Sequence, residues 1–238
     1  SRLRVTGKPR HDTQIVVELQ DSRLWGSEFS TFDASADQLD LHEAYAELQE
    51  MFGKPLRLRL GRQKLIYGSE RLIGGSEWSN TPQSHDAMVL RLGEANWVDA
   101  FLSKIDEKGQ RDRNLFGLWG SAQLAPDHRV GPYLLVEQDK NSGADRMLRV
   151  TGGLRFTGST TGQTGHTFGY DIEGAGQTGE VGVNDVMAWM GAGTVRYRGP
   201  AWTQPEIRLG VDLYSGDDDA ADGEIQAFDN LFASRHTF

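Results

Sequence analysis

Between Leu56 and Leu60 leucine and arginine alternate residue by residue. Successive side chains of a strand point to opposite faces, so Leu56, Leu58 and Leu60 share one face and Arg57 and Arg59 the other. Two environments satisfy such a strand. A soluble sheet buries the leucines in a protein core and leaves the guanidinium groups in bulk water. A membrane strand turns the leucines to hydrocarbon and needs an aqueous interior for the arginines.

The pattern recurs along the chain. In Met147 to Gly158, Leu148, Val150, Leu154 and Phe156 oppose Arg149, Thr151 and Arg155. In Glu206 to Tyr214, Ile207, Leu209, Val211 and Leu213 oppose Arg208, Asp212 and Tyr214. In Arg113 to Leu124, Phe116, Leu118, Ala122 and Leu124 oppose Arg113, Ser121 and Gln123, with Trp119 intruding on the polar face. Alternation bounded by Gly, Pro, Asp and Asn marks about a dozen strands. They span residues 2–8, 13–25, 39–50, 56–67, 84–93, 96–106, 113–124, 130–138, 147–157, 166–176, 184–198 and 205–215. At Leu39 to Phe52 helix propensity competes, but the alternation favours a strand.

Several of these strands reach the roughly 9–11 residues that a tilted membrane strand needs, against about 5–6 in soluble sheets. Gly120, Ala122 and Gly152 on the apolar faces would make a poor core between two packed sheets. Connections such as Gly93 to Asn96 and Ala125 to Arg129 are tight, whereas Gly68 to Ser84 and Ser215 to Ser234 are long. Short turns at one edge and long loops at the other are the asymmetry of an outer-membrane barrel. Trp25, Trp78, Trp97, Trp202 and Tyr214 fall near strand ends, as interfacial aromatics would.

Composition agrees with a barrel. A hydrophobic share of 37% fits strands that are apolar only at alternate positions. No apolar run approaches the roughly 20 residues of a spanning helix. A net charge of −9, with no basic stripe to neutralise phosphates, argues against nucleic acid as a partner. The chain has no cysteine, so thiolate chemistry and disulfides are absent. Six histidines form no HExxH arrangement, and no carboxylate pair is singled out for hydrolysis, so no enzymatic activity and no cofactor are expected. The acidic loop with Asp217, Asp218, Asp219, Asp222 and Glu224 is a weak candidate for calcium, without EF-hand spacing.

Particular stretches resemble the alginate-export family of outer-membrane β-barrels. They are "GRQ" (Gly61 to Gln63), "YGSERLIG" (Tyr67 to Gly74), "WSN" (Trp78 to Asn80) and the "HDAMVLRL" that follows. "LDLHEAYAEL" upstream, and "DLYSGDDD" and "AFDNLFASRHTF" downstream, are similar to neighbouring parts of that family. The resemblance implies an all-β, antiparallel up-and-down meander forming part of a large transmembrane barrel. About twelve strands of a family-typical 18 would lie in one domain over 1–238, incomplete at both ends.

It also implies a passive channel in the bacterial outer membrane for an anionic, alginate-like polysaccharide or small anionic solutes, with the lipid bilayer as its other partner and any periplasmic export partner unidentified. Arg57, Arg59, Arg62, Arg91, Arg149, Arg155 and Arg208 are the lumen candidates. Glu43, Glu47, Asp99, Glu173 and Asp212 lie in or near the same polar faces and make the lumen mixed in charge. The competing reading of the residues is a soluble carbohydrate-binding β-sheet domain with no transport role.

Overall fold

A computed structural model describes residues 1–22, 39–79, 82–107, 110–140, 146–200, 204–219 and 221–234. Trp25, Trp202, Asn80 and His236 lie outside the described residues. Twelve strands succeed one another in the sheet in chain order: β1 (Arg2–Arg10), β2 (Thr13–Asp21), β3 (Leu39–Leu48), β4 (Leu56–Gln63), β5 (His85–Gly93), β6 (Trp97–Glu107), β7 (Gln110–Ala125), β8 (His128–Asp139), β9 (Met147–Thr161), β10 (Thr167–Val181), β11 (Asn184–Arg198) and β12 (Glu206–Tyr214). A short β13 (Glu224–Ile225) pairs in parallel with β11. The competing helix at Leu39 to Phe52 is strand β3 followed by a single 3-10 turn, Met51–Gly53.

This up-and-down antiparallel order is that of a stretch of β-barrel wall. Every odd-to-even connection is short, including 11–12, 94–96 and 126–127. The long connections, 22–38, 64–84 and the chain after Tyr214, all leave from even-numbered strands and so from the opposite edge.

The chain divides into two compact units. One is Ser1–Leu92 with Phe101–Lys104 and Asn230–Phe238, and the other is Gly93–Ala100 with Ile105–Asp229. In each, the burial pattern is inverted relative to a soluble protein. In the first, Leu3, Val5, Ile15, Val17, Leu60, Met88, Leu90 and Leu92 are exposed, while Glu18, Gln20, Glu43, Glu47 and Gln63 are buried. In the second, Phe116, Leu134, Leu154, Ile172, Trp189 and Leu209 are exposed, while Asp99, Glu137, Arg149, Thr151 and Glu173 are buried. Leu209 is 66% exposed and Glu137 1%. Among the described residues no second layer of protein covers these exposed leucines and valines, so the soluble reading lacks the core it requires.

Register keeps the two faces apart. Leu56, Leu58 and Leu60 pair with Leu92, Leu90 and Met88, and Arg57 and Arg59 pair with Arg91 and Val89. Where β2 meets β3 a bulge between Glu18 and Leu19 breaks the strict alternation. As a result His42 and Glu43, adjacent in sequence, are both buried. At Gly61 (φ 120°) β4 takes a conformation that side chains rarely adopt, and an added Cβ would collide with the Ala44 carbonyl of β3. Glycine is required there by both conformation and space.

Candidate functional site

The polar faces carry a chain of ion pairs linked from strand to strand. In the first unit Glu18 and Glu43 stand directly opposite each other on β2 and β3. Such like charges repel unless a cation intervenes. Arg4 supplies it, with Nη1 at 3.1 Å from Glu18 and 2.6 Å from Glu43. Next along, Arg59 donates from Nε to Glu47 at 2.7 Å, and Arg57 approaches the other oxygen of the same carboxylate at 3.7 Å. Arg57 also faces Arg91 across β4 and β5. One carboxylate therefore sits against two guanidinium groups, and two arginines oppose each other. The Arg59 guanidinium lies over the Tyr45 ring, 4.8 Å from its centroid.

The connection 64–84 folds onto this face. Leu65, Tyr67, Leu72 and Ile73 are buried, and Tyr67 stacks on Phe101 at 5.0 Å. Ile73 bridges in parallel to Phe232, and the Phe232 amide donates to the Leu72 carbonyl at 2.9 Å. Glu77 ties the connection down by accepting from Lys64 at 2.5 Å and from Arg2 at 2.8 Å. Burial favours its neutral form, but the hydrogen bonds from Lys64 and Arg2 outweigh this and hold Glu77 below the ordinary glutamate range.

In the second unit Glu137 is held between Arg113, whose guanidinium makes a short ion pair with it, and Arg149 at 2.9 Å. Arg149 reaches Asp229 at 2.9 Å as well. The chain at Asp229 is clamped by Gln177, which donates to the Asp229 carbonyl at 2.7 Å and accepts from its amide at 2.9 Å. Trp119 occupies the polar face, as its position in the alternation implies, stacked 4.2 Å from Tyr133. The Tyr133 hydroxyl donates to Glu173 at 3.0 Å. Arg155 grips Asp171 with two hydrogen bonds, 2.8 and 2.5 Å.

The anticipated residues thus fall into three groups. Arg57, Arg59, Arg91, Glu43 and Glu47 share the polar face of the first unit. Arg149, Arg155, Arg208, Asp99, Glu173 and Asp212 are distributed over the polar face of the second. Arg62 is the exception: its register partners are Ala44 and Asp86, which puts it on the face of Leu58 and Leu60. Parity decides this, since an even-numbered residue of β4 cannot share a face with Arg57 and Arg59.

The calcium candidate finds no ligand set, because among the described residues no three acidic or histidine groups converge. Asp219 and Asp222 instead accept from the nearby amides of Ala221 and Glu224, and Glu224 accepts from Gln226. Two of the expected interfacial aromatics also belong elsewhere. Tyr214 lies in register with Met190 and Trp97 shares parity with Asp99, both on polar faces. The apolar face carries a different set at the short-turn edge: Phe168, Tyr170 and Tyr197, with Tyr170 and Tyr197 bonded to His128 and His166 at 2.9 and 2.8 Å. The lumen candidates leave out Arg113, although its polar face was read from the alternation, and they miss Arg4, Arg196 and Arg198. Their parity on strands of known register would have found them.

An up-and-down sheet with apolar residues outward and an ionic, hydrogen-bonded face behind them defines an outer-membrane β-barrel protein. Within that class, the whole chain, residues 1–238, matches the family described as Alginate export. It belongs to that family, a family of outer-membrane polysaccharide export channels. No curated protein matches the chain.

Proposed function

We propose that the chain, as one barrel domain in the bacterial outer membrane, forms the wall of a passive conduit for an anionic polysaccharide or small anionic solutes. The observation that carries this reading is the pairing of an exposed apolar face with an arginine-bearing polar face across the same strands. Apolar residues that meet lipid leave the opposite face as the only place for water and charge. That face repeatedly sets more than one guanidinium against one carboxylate, as at Glu47 and Glu206.

Transit requires attraction without capture, because binding must be favourable enough for entry and weak enough for exit. Arginines already paired to protein carboxylates meet that condition. An arriving carboxylate exchanges with Glu47 or Asp171 and leaves by the reverse exchange, so each step costs only the difference between two similar pairs. Polymer moves by handing its carboxylates from one arginine to the next.

The test is conductance of the complete membrane-inserted protein in planar bilayers. Replacing Arg57 and Arg59 together by Glu should lower the preference for anions over cations, measured as a shift of reversal potential under a salt gradient. Unchanged selectivity would remove these two residues from the path, and absence of any conductance would overturn the conduit.

A further inference from the structure

On the apolar face of the second unit, the short-turn ends of β9 to β12 frame a cavity of about 400 Å3, within the range of roughly 300–1,000 Å3 typical of small-molecule sites. Phe168, Tyr170, Val195, Tyr197, Ile207 and Leu209 line it. Two cross-strand rows meet there: Phe168 with Tyr197 and Ile207, and Tyr170 with Val195 and Leu209. The polar end of the hollow differs from an ordinary aromatic girdle, whose rings offer free polar tips to the membrane interface. Here the Tyr170 hydroxyl is bonded to Nδ1 of His128 at 2.9 Å, and the Tyr197 hydroxyl to Nδ1 of His166 at 2.8 Å. Each imidazole also stacks on its tyrosine. His128 reaches Tyr170 across β9 because Gly158, in register with both, has no side chain in the way. When the hydroxyl donates to Nδ1, the ring proton stays on Nε2 and makes it a donor. Neither Nε2 has a partner among the described residues. No acidic residue lies among the described residues lining the cavity, so an anion meets no repulsion there.

From this we infer that the hollow binds one phospholipid of the periplasmic leaflet. An acyl chain lies between the aromatic and aliphatic walls, and the phosphate accepts a hydrogen bond from an imidazole Nε2 at the polar end. The position selects this occupant. The face is the one that meets hydrocarbon, the short turns of such barrels point to the periplasm, and interfacial aromatics mark the level of the headgroups. The site is on the outside of the wall. It rests on the barrel standing in the outer membrane and is independent of what the lumen carries.

The experiment counts lipids on the complete protein by native mass spectrometry. The protein is exchanged into detergent micelles containing dioleoyl phosphatidylglycerol or, separately, a phosphate-free glucosyl diacylglycerol with the same chains. The parent should keep one phosphatidylglycerol at a collision energy that strips the glucolipid. Replacing His128→Phe and His166→Phe together keeps the rings and removes the donors. Retained phosphatidylglycerol should then fall about fivefold, to the level of the glucolipid, in protein whose heat-modifiable gel mobility shows a folded barrel. Equal retention of the two lipids by the parent overturns the site, because the phosphate then plays no part. Undiminished phosphatidylglycerol on the double variant overturns it as well. Displacement of the lipid by an excess of glycerol 3-phosphate, which has the headgroup without the chains, would make this a site for soluble phosphates and overturn the lipid as occupant. If the double variant does not fold, Leu209→Trp takes its place. It fills the hollow and leaves both histidine–tyrosine pairs intact, so phosphatidylglycerol retention should fall severalfold, and unchanged retention overturns the site. No arm reads conductance, so failure here leaves the conduit standing.

Discussion

Glycine at position 153 allows an aromatic stack to lie on a polar strand face. A Cβ there would fall within the Tyr133 ring, so Tyr133 crosses β9 only because Gly153 is bare. From that position its ring stacks on Trp119 and its hydroxyl reaches the buried carboxylate of Glu173. Gly153→Val should therefore expel Tyr133 and destabilise the barrel by about 1–3 kcal/mol through overpacking, read from denaturant unfolding in detergent micelles. Tyr133→Phe, which keeps the stack and removes one hydrogen bond, should cost less. On the other face, Leu58 stands between Leu48 and Leu90 in register. Leu58→Arg would put a guanidinium into hydrocarbon, and assembly should weaken by roughly 2–4 kcal/mol if the residue lies near the midplane. A neutral effect on folding yield into lipid would reverse the assignment of that face. Gly153 was not legible in the sequence, because only the register shows that Tyr133 lies beside it. The parity that places Leu58 outward was legible, and the same parity corrects Arg62.

Among the elements, the strands were legible and the connections were not. Period-two alternation locates β5, β11 and β12 to within a residue, but β4 stops at Gln63 rather than at 67, and β9 and β10 run on to Thr161 and Val181. Their last turns of sequence, rich in Gly and Thr, lack apolar alternation, and it is pairing with neighbouring strands that keeps them extended. Gly68 to Ser84 reads as a long loop and 64–67 as the end of a strand, yet Leu65 to Gly75 is connection and largely buried. Nothing periodic in the stretch announces this, because its hydrophobic residues pack against particular partners such as Phe101. The Glu77 tether gives it a pH dependence with a definite sign. Since the folded value is held below the ordinary glutamate value of 4.5, the tether is fully present above that value and is lost as pH falls through the lowered one. The carboxylate is 41% exposed, so screening limits the gain. Amide exchange at Gly74, whose N–H donates to the Phe232 carbonyl, corrected for intrinsic rate, should accelerate roughly twofold to fivefold on acidification, as expected for partly exposed pairs. Glu77→Gln should exchange at the faster level throughout and show no such pH step.

At the scale of the molecule the informative quantity is where the charge sits along the strands rather than its sum. The net charge of −9 would by itself argue against a path for polyanions. Within the second unit, however, the short-turn ends of β9 to β12 carry Arg155, Arg196, Arg198 and Arg208 against two carboxylates, Asp171 and Glu206. The opposite ends lead into the acidic segment containing Asp217, Asp218, Asp219, Asp222 and Glu224. A conduit positive at one mouth and negative at the other concentrates anions at the first and depletes them at the second. Anion current should then be larger when anions enter from the short-turn side. The asymmetry should be evident at about 0.1 M salt, where charges act over about 10 Å, and nearly vanish at about 1 M, where they act over about 3 Å. Current–voltage curves at the two salt concentrations measure it directly. Replacing Asp217, Asp218 and Asp219 by Asn should reduce the asymmetry at low salt and leave the high-salt curve unchanged. A symmetric curve at low salt in the parent protein would mean that these end charges do not reach the conducting path.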